Sequence, residues 1–120
     1  MDKKRLTKLA DSVFNKVIKY YGYSKYQTTT PYLEIEDSMY SDCDSPNLIG
    51  EYCNTDNLII IYWKNIESIA HLAKTIIHEY QHYLQSPIWT TRYYNMGYTY
   101  YNHPYEIQAT AVEDSWILFV

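Results

Sequence analysis

Two histidines stand four positions apart in this chain, with a glutamate directly after the first: His78, Glu79 and His82. On an α-helix, residues four apart lie on one face, so both imidazoles can reach a single metal ion. Glu79 lies one position off that line, where its carboxylate can reach a metal-bound water without binding the metal. A carboxylate placed in this way can act as a general base. The spacing therefore predicts a catalytic zinc helix.

The sequence around these residues has the periodicity of an amphipathic helix. Asn65 is predicted to cap its N-terminus, Glu67 falls in the first turn, and Pro87 is expected to end it. Apolar residues recur at intervals of three and four on the side facing away from the two histidines. These residues are Ile69, Leu72, Ala73, Ile76, Tyr80, Tyr83 and Leu84.

A catalytic zinc site needs three protein ligands and an open position for water, so a third ligand must come from outside the helix. Gln85 and Ile88 stand where a metzincin would have its glycine and its third histidine. His71 lies on the same helix face as His78, but about two turns upstream, roughly 10 Å away. A surface or supporting role is predicted for it.

Glu106 is the better candidate for the third ligand. It follows Pro104 in the first turn of another predicted helix, 24 residues after His82. Such a glutamate is usually solvated and complements the helix dipole. Here Ala109 and Thr110 continue its face with small side chains, which would let this helix approach the zinc helix closely. We therefore interpret Glu106 as a ligand, with His103 as the alternative.

Length and charge limit the functions that this chain could have. Its 120 residues predict one domain, residues 1–120, and its net charge of −4 gives no basic surface for a nucleic acid. The basic residues 1–5 are not followed by an unbroken apolar stretch. A signal peptide, a membrane span and a membrane partner are therefore not expected. The expected compartment is the cytosol of a bacterium or of a virus-infected host.

The remaining patterns predict an α+β fold with a small three-stranded sheet. Predicted helices cover residues 2–21, ended by Gly22, and residues 105–119. Predicted strands are 32–36, 48–53 and 58–63, of which the last is nearly all apolar and should be central. The linking segments are a loop over 37–47, a turn over 54–57 and a short hairpin over 91–101 with Gly97 left-handed. Cys43 and Cys53 are predicted to be reduced cross-strand neighbours.

The order of these motifs resembles a known family of enzymes. His78-Glu79-x-x-His82, followed by a helix that opens Pro104-Tyr105-Glu106-x-x-Ala109, looks like the gluzincin branch of zinc metallopeptidases. More closely, it is similar to the minimal single-domain zincin-like peptidases of bacteria and phages. In those proteins an N-terminal helix, a small mixed sheet, the two-histidine helix and a glutamate helix form the whole domain. Gly50-x-Tyr52 and the strand after it also resemble their sheet, so the similarity covers about residues 47–111.

The resemblance implies a Zn²⁺ ion held by His78, His82 and Glu106, with Glu79 as the general base. Thermolysin-type members have an aspartate four residues after the ligand glutamate, where it orients a zinc-bound histidine. This chain has Thr110 there. Glu113 and Asp114 are the nearby alternatives for that role.

Two functions are compatible with these patterns. The first is a zinc peptidase, whose peptide or protein substrate would pair with an exposed strand edge. Its oxyanion or substrate contacts would come from the tyrosine-rich segment, with Tyr94, Tyr98, Tyr101 and His103 as candidates. The second is a weakly active or inactive zincin-like binding protein that uses the same tyrosines as an interaction surface. Neither pattern predicts an oligomeric state.

Overall fold

Four α-helices and a three-stranded mixed sheet form the part of the chain that the structure, a computed structural model, describes: residues 2–38 and 48–120. The elements in chain order are α1 (Lys3–Tyr21), β1 (Tyr32–Glu36), β2 (Gly50–Cys53), β3 (Leu58–Tyr62), α2 (Ile69–Leu84), α3 (Pro87–Asn95) and α4 (Pro104–Ala111). Short 3₁₀ helices cover Trp63–Asn65 and Glu113–Phe119. The prediction of an α+β chain with a small three-stranded sheet is confirmed.

The sheet has the order β1-β3-β2, so the predicted central position of β3 is confirmed. β1 runs parallel to β3, and β2 runs antiparallel to it, with Gly50 opposite Ile61. Ile59 and Ile61 are fully buried against the helices. β2 is an edge strand, and its open side becomes important for the site.

α1 follows its prediction closely. The Asp2 side chain accepts a hydrogen bond from the backbone N–H of Arg5 at 2.8 Å and caps the first turn. Gly22 ends the helix with a positive φ of 77°, and its N–H donates to the Ile18 carbonyl. The apolar face packs on α2 and forms one side of the core. Its buried residues are Leu6, Ala10, Val13, Phe14 and Val17.

α2 is the predicted two-histidine helix, but it starts later than expected. Its N-cap is Ser68, whose hydroxyl accepts from the N–H of His71 at 3.1 Å, so the prediction of Asn65 as the cap is wrong. Asn65 instead ends a 3₁₀ turn, and its side-chain amide donates to the Leu48 carbonyl at 2.9 Å. The Asn65 amide therefore binds the backbone of the segment before β2 rather than capping α2. Nine of the 16 residues of α2 are buried, which makes it the centre of the fold.

The hairpin predicted over 91–101 is wrong, because residues 91–95 belong to a helix and no strand forms in this stretch. Ser86 caps α3 by accepting from the N–H of Trp89 at 3.3 Å, and Pro87 occupies the first turn. Pro87 thus follows the end of α2, as predicted, but also starts a new helix. Gly97 does adopt the predicted left-handed conformation, with φ of 103°, where the chain leaves α3.

The last predicted helix, 105–119, is two elements. α4 begins at Pro104, the predicted start, and the backbone changes to a 3₁₀ helix after Val112, whose carbonyl accepts from the N–H and the hydroxyl of Ser115. This change returns Phe119 to the core and brings Glu113 beside α2.

One of the two cysteines that were predicted to be neighbours lies within the described residues. Cys53 is a partly buried free thiol at the end of β2, whereas Cys43 and most of the predicted 37–47 loop lie outside the described residues. None of the helices that the structure describes is long and apolar enough to cross a membrane.

Candidate metal site

The fold brings the two histidines of α2 together with the glutamate of α4. The Nε2 atom of His82 lies 2.7 Å from Oε1 of Glu106, and the Nε2 atom of His78 lies 3.0 Å from Oε2 of the same carboxylate. One nitrogen or oxygen atom from each of the three residues lies within 4.8 Å of the others. The three ligands predicted from sequence therefore share one small volume.

The far side of each imidazole is held by a hydrogen-bond acceptor. Nδ1 of His78 lies 2.9 Å from Oε2 of Glu113, and Nδ1 of His82 lies 2.7 Å from Oε1 of Gln85. An acceptor at Nδ1 requires a proton there, which leaves the Nε2 lone pair of the neutral ring pointing at Glu106. This tautomer is the one that ligation through Nε2 needs. Of the two carboxylates that the sequence left open, Glu113 is the one that contacts a histidine.

The charges of the three groups show why a cation suits this arrangement. Burial disfavours the charged form of His78, but its hydrogen bonds to Glu106 and Glu113 outweigh burial and raise its pKa to about 10. The pKa of His82 is raised in the same way, because its bond to Glu106 outweighs burial. Burial also disfavours the Glu106 carboxylate, yet the two histidines lower its pKa to about 2.

Without protons on Nε2, the two neutral rings would aim their lone pairs at a carboxylate, and three acceptors would meet. Either protons or a metal cation must lie between them. Two imidazoles and one carboxylate form a donor set typical of catalytic zinc. The residues present therefore fit a zinc ion.

Glu79 is buried beside this cluster, with 8% of its surface exposed, and lines the same cavity as His78 and His82. Burial raises the pKa of its carboxyl group, while the charges of His82 and His78 oppose that rise. Among the described residues, no hydrogen bond reaches its carboxylate. Glu79 is thus free to interact with a water molecule or a substrate, and its role as a general base stays a prediction.

The cluster opens into a cavity of about 480 Å³. β2 contributes Gly50 and Tyr52 to its lining, while Thr90 of α3 and Tyr100 contribute from the later part of the chain. The edge strand of the sheet and the segment after α2 thus face each other across α2. A cavity of this size with a few convergent polar groups is typical of a ligand site.

Gly50 lets β2 approach α2 this closely. A Cβ atom at this position would lie 2.6 Å from Cγ2 of Thr75 and 3.5 Å from Cγ of Glu79. Any larger residue would push the strand away from the helix that carries Glu79. This steric limit gives a physical reason for a glycine in the sequence Gly50-x-Tyr52.

The register of β2 determines which backbone groups face the cavity. The N–H of Tyr62 donates to the carbonyl of Ile49 at 2.9 Å, so these two residues form a hydrogen-bonded pair. Because such pairs alternate along an antiparallel ladder, Glu51 bonds to β3, whereas the N–H and carbonyl groups of Gly50 and Tyr52 point to the open edge. No strand among residues 2–38 and 48–120 pairs with that edge.

Among the described residues, two tyrosines line the cavity: Tyr52 of β2 and Tyr100, which the sequence did not single out. Partial burial and the carboxylates of Glu106 and Glu79 raise its pKa to about 12, so its phenol is a hydrogen-bond donor at neutral pH. The sequence contains no signal that separates Tyr100 from its neighbours, because its place depends on the turn between α3 and α4.

None of the three predicted tyrosines is among the residues that line this cavity. The ring of Tyr94 lies on His103, with centroids 4.6 Å apart, and the ring of Tyr98 packs against Tyr93. Tyr101 is 91% exposed. Tyr94 lies in α3, whereas Tyr98 and Tyr101 lie between α3 and α4. Contacts of these three tyrosines with a substrate stay a prediction.

His103, the alternative ligand, has a structural role instead. It is 1% exposed, its Nε2 lies 3.0 Å from the Thr90 carbonyl, and its Nδ1 accepts from the N–H of Tyr105 at 3.1 Å. Both ring nitrogens are therefore engaged, and neither is available to a metal ion or a substrate. His71 is also outside the cluster, because its Nδ1 accepts from the N–H of Glu67 at 3.0 Å near the start of α2.

Comparisons of the chain with protein-family models, with curated proteins and with solved structures found no match. The geometry of the site is therefore the basis for proposing a function.

Proposed function

We propose that this protein is a zinc-dependent peptidase of the minimal gluzincin type. One observation carries the proposal: the Nε2 atoms of His78 and His82 converge on the Glu106 carboxylate, beside a buried Glu79 that has no hydrogen-bond partner among the described residues. The first three residues supply the donor set of a catalytic zinc site. Glu79 supplies the base that such a site needs.

Each residue has a defined task in peptide hydrolysis. His78, His82 and Glu106 would hold the zinc ion, which when bound supplies a Lewis acid and lowers the pKa of a water molecule. Glu79 accepts the proton of the attacking water and then donates it to the leaving amine. Glu113 and Gln85 keep the two imidazoles in the tautomer that presents Nε2 to the ion.

The cavity also suits an extended peptide. The outward N–H and carbonyl groups of Gly50 and Tyr52 can pair with a substrate backbone laid along β2. The Tyr100 hydroxyl can donate a hydrogen bond to the oxygen that becomes negative when the scissile carbonyl is attacked. The substrate class that this geometry supports is a peptide or an unfolded segment of a protein.

A second function is favoured by a different observation. Tyr94, Tyr98, Tyr100 and Tyr101 all expose at least two fifths of their surface, and Tyr100 lines the cavity. Exposed tyrosines are frequent at protein interfaces, so the same site could belong to a binding protein without activity. The free Glu79 carboxylate favours the enzyme, because a purely structural zinc site has no need of a base.

Metal analysis followed by a cleavage assay tests the proposal. We expect protein reconstituted with zinc and freed of excess metal to hold one zinc ion per chain. It should hydrolyse a mixed peptide library, lose this activity with a chelator, and recover it when zinc is restored. Failure to bind zinc would refute the proposed site. Stoichiometric zinc without hydrolysis of any peptide would support the binding protein instead.

A further inference from the structure

Gln85 lies at the point where the metal site, the end of α2 and the start of α4 meet. It is the C-cap residue of α2, and its backbone N–H donates to the carbonyls of Gln81 and His82. Its side chain is buried, with 9% of the residue exposed. The buried amide must satisfy both its oxygen and its nitrogen within the protein.

All three hydrogen bonds of this amide go to the site or to α4. Its Oε1 lies 2.7 Å from Nδ1 of His82, and its Nε2 lies 3.0 Å from the Tyr105 carbonyl and 3.1 Å from Oε1 of Gln108. The Tyr105 carbonyl can only accept a hydrogen bond, so it fixes the NH₂ end of Gln85 on that side. The oxygen of Gln85 must then face His82, and Nδ1 of His82 must carry the proton.

These contacts link two of the proposed ligands through one neutral side chain. On one side, Gln85 determines that Nε2 of His82 is the nitrogen left for the ion. On the other, it binds the backbone of Tyr105, the residue directly before Glu106. His78 differs, because its Nδ1 is held by the carboxylate of Glu113 and does not depend on the start of α4.

We infer that Gln85 is a positioning residue that couples the tautomer of His82 to the place of Glu106. The inference rests on the proposed zinc site but assigns a role that the ligand set alone does not require. Because Gln85 joins α2 to α4, loss of its amide should weaken metal binding even though every ligand is still present.

Zinc affinity measured by chelator competition at neutral pH tests this role. Gln85→Met removes both halves of the amide at similar length, and we expect the affinity to fall by about 10- to 100-fold, as for other residues that orient metal ligands. Gln85→Glu keeps an acceptor for His82 but loses the donor to Tyr105, so its loss should be smaller. Gln108→Ala is the matched control: it removes only the exposed partner, and the affinity should stay within about fivefold of wild type.

Urea unfolding of the metal-free proteins checks that the variants are folded. If Gln85→Met does not fold, nitrogen-resolved NMR of the histidines in the zinc-loaded wild type provides a second test. We expect His82 to carry its proton on Nδ1, with a proton–proton contact to the Gln85 side chain. Ligation through Nδ1, or a folded Gln85→Met protein with wild-type affinity, would overturn the positioning role alone. A wild-type protein that binds no zinc would overturn both the site and this inference.

Discussion

The two sides of the candidate site are held by the fold in different ways. The α2 side carries His78, Glu79 and His82 on a helix with nine buried residues, which packs against α1, the sheet and the C-terminal 3₁₀ helix. The α3–α4 side, residues 87–111, contributes Tyr100 and Glu106. α3 has no buried residue, and Ala109 is the only buried residue of α4.

This difference means that the α2 side holds its reactive residues rigidly, whereas the α3–α4 side must be brought into place beside them. Helix geometry fixes the residues of the α2 side relative to one another as soon as the core forms. The α3–α4 side is instead held by a few buried polar contacts, chiefly those of Gln85 and His103. Segments with little buried apolar surface open at lower free energy than the core. We therefore expect changes on the α2 side to remove a chemical step and changes on the other side to weaken binding or positioning.

The largest effect should follow from Glu79→Gln, which removes the base without touching the ligands. We expect the hydrolysis rate to fall by about 10²- to 10⁴-fold while zinc content is unchanged, because the proposed mechanism assigns Glu79 to the water and not to the ion. Steady-state kinetics and metal analysis of the same preparation measure both quantities. His82→Ala is the comparison and should lose both. A Glu79→Gln protein that loses zinc as readily as His82→Ala would contradict this division of roles.

Glu106→Ala should show that the α3–α4 side completes the metal site. We expect its zinc affinity, measured by chelator competition, to fall by more than about 100-fold, because a ligand is lost rather than reoriented. The matched variant is His103→Asn, which keeps a side-chain acceptor for the N–H of Tyr105 and should lose much less. The opposite order would mean that His103 leaves its buried position to bind the ion.

Tyr100→Phe tests the hydrogen bond that the Tyr100 hydroxyl is proposed to donate to the oxyanion. Loss of one oxyanion donor typically lowers kcat by about 10²-fold, and KM and zinc content should change little. Tyr101→Phe is the control, since that side chain is 91% exposed and should leave both constants as they are. Equal kinetics for Tyr100→Phe and wild type would remove Tyr100 from the mechanism.

Gly50→Ala probes how closely β2 must approach the α2 side. The new Cβ would meet Thr75 Cγ2 at 2.6 Å, so strand and helix must move apart, and we expect kcat/KM to fall by about tenfold. Thr75→Ser removes the methyl group in question and keeps the hydroxyl, which donates to the His71 carbonyl. Combined with Gly50→Ala, it should restore part of the activity. Absence of any loss in Gly50→Ala would show that the strand can shift without cost.

A further effect is expected in the metal-free protein, in which protons lie between the two histidines and Glu106. The bonds of His78 to Glu106 and Glu113 outweigh burial and raise its pKa from about 6.5 to about 10 in the fold, so the stabilisation from its proton is complete below pH 6.5 and is lost as the pH rises towards 10. The free energy of unfolding should fall by at most about 1.4 kcal/mol per pH unit for this proton. Urea unfolding with chelator between pH 6 and pH 9.5 measures the slope. Glu106→Gln should flatten it, and an unchanged slope would argue against the ion pair.

Local patterns in the sequence determined the scaffold of this protein. The stripes of α1 and α2, the alternation of β1 and the apolar run of β3 depend on neighbours within one or two turns or along one strand. Gly22 ends α1 and Pro104 begins α4, each because of its own backbone preference. Because His78 and His82 share a face on any helix, their proximity also followed from spacing alone. Glu106 was predicted as a ligand from its place in the first turn after Pro104 and the small residues on its face, and the fold brings its carboxylate to both rings.

Only the tertiary structure decided what surrounds this cluster. Glu113 rather than Asp114 bonds to His78 because the backbone tightens into a 3₁₀ helix after Val112. Gln85 holds His82 because α4 returns to the end of α2, and Tyr100 enters the cavity because the Ser86 cap and Pro87 make α3 a helix where the tyrosine pairs suggested a hairpin. Each of these outcomes depends on the angle of a turn or on contacts between residues far apart in the chain. The hydrophobic period and the composition of a segment do not determine the angle of the turn that follows it. That angle is fixed only when the segments pack together.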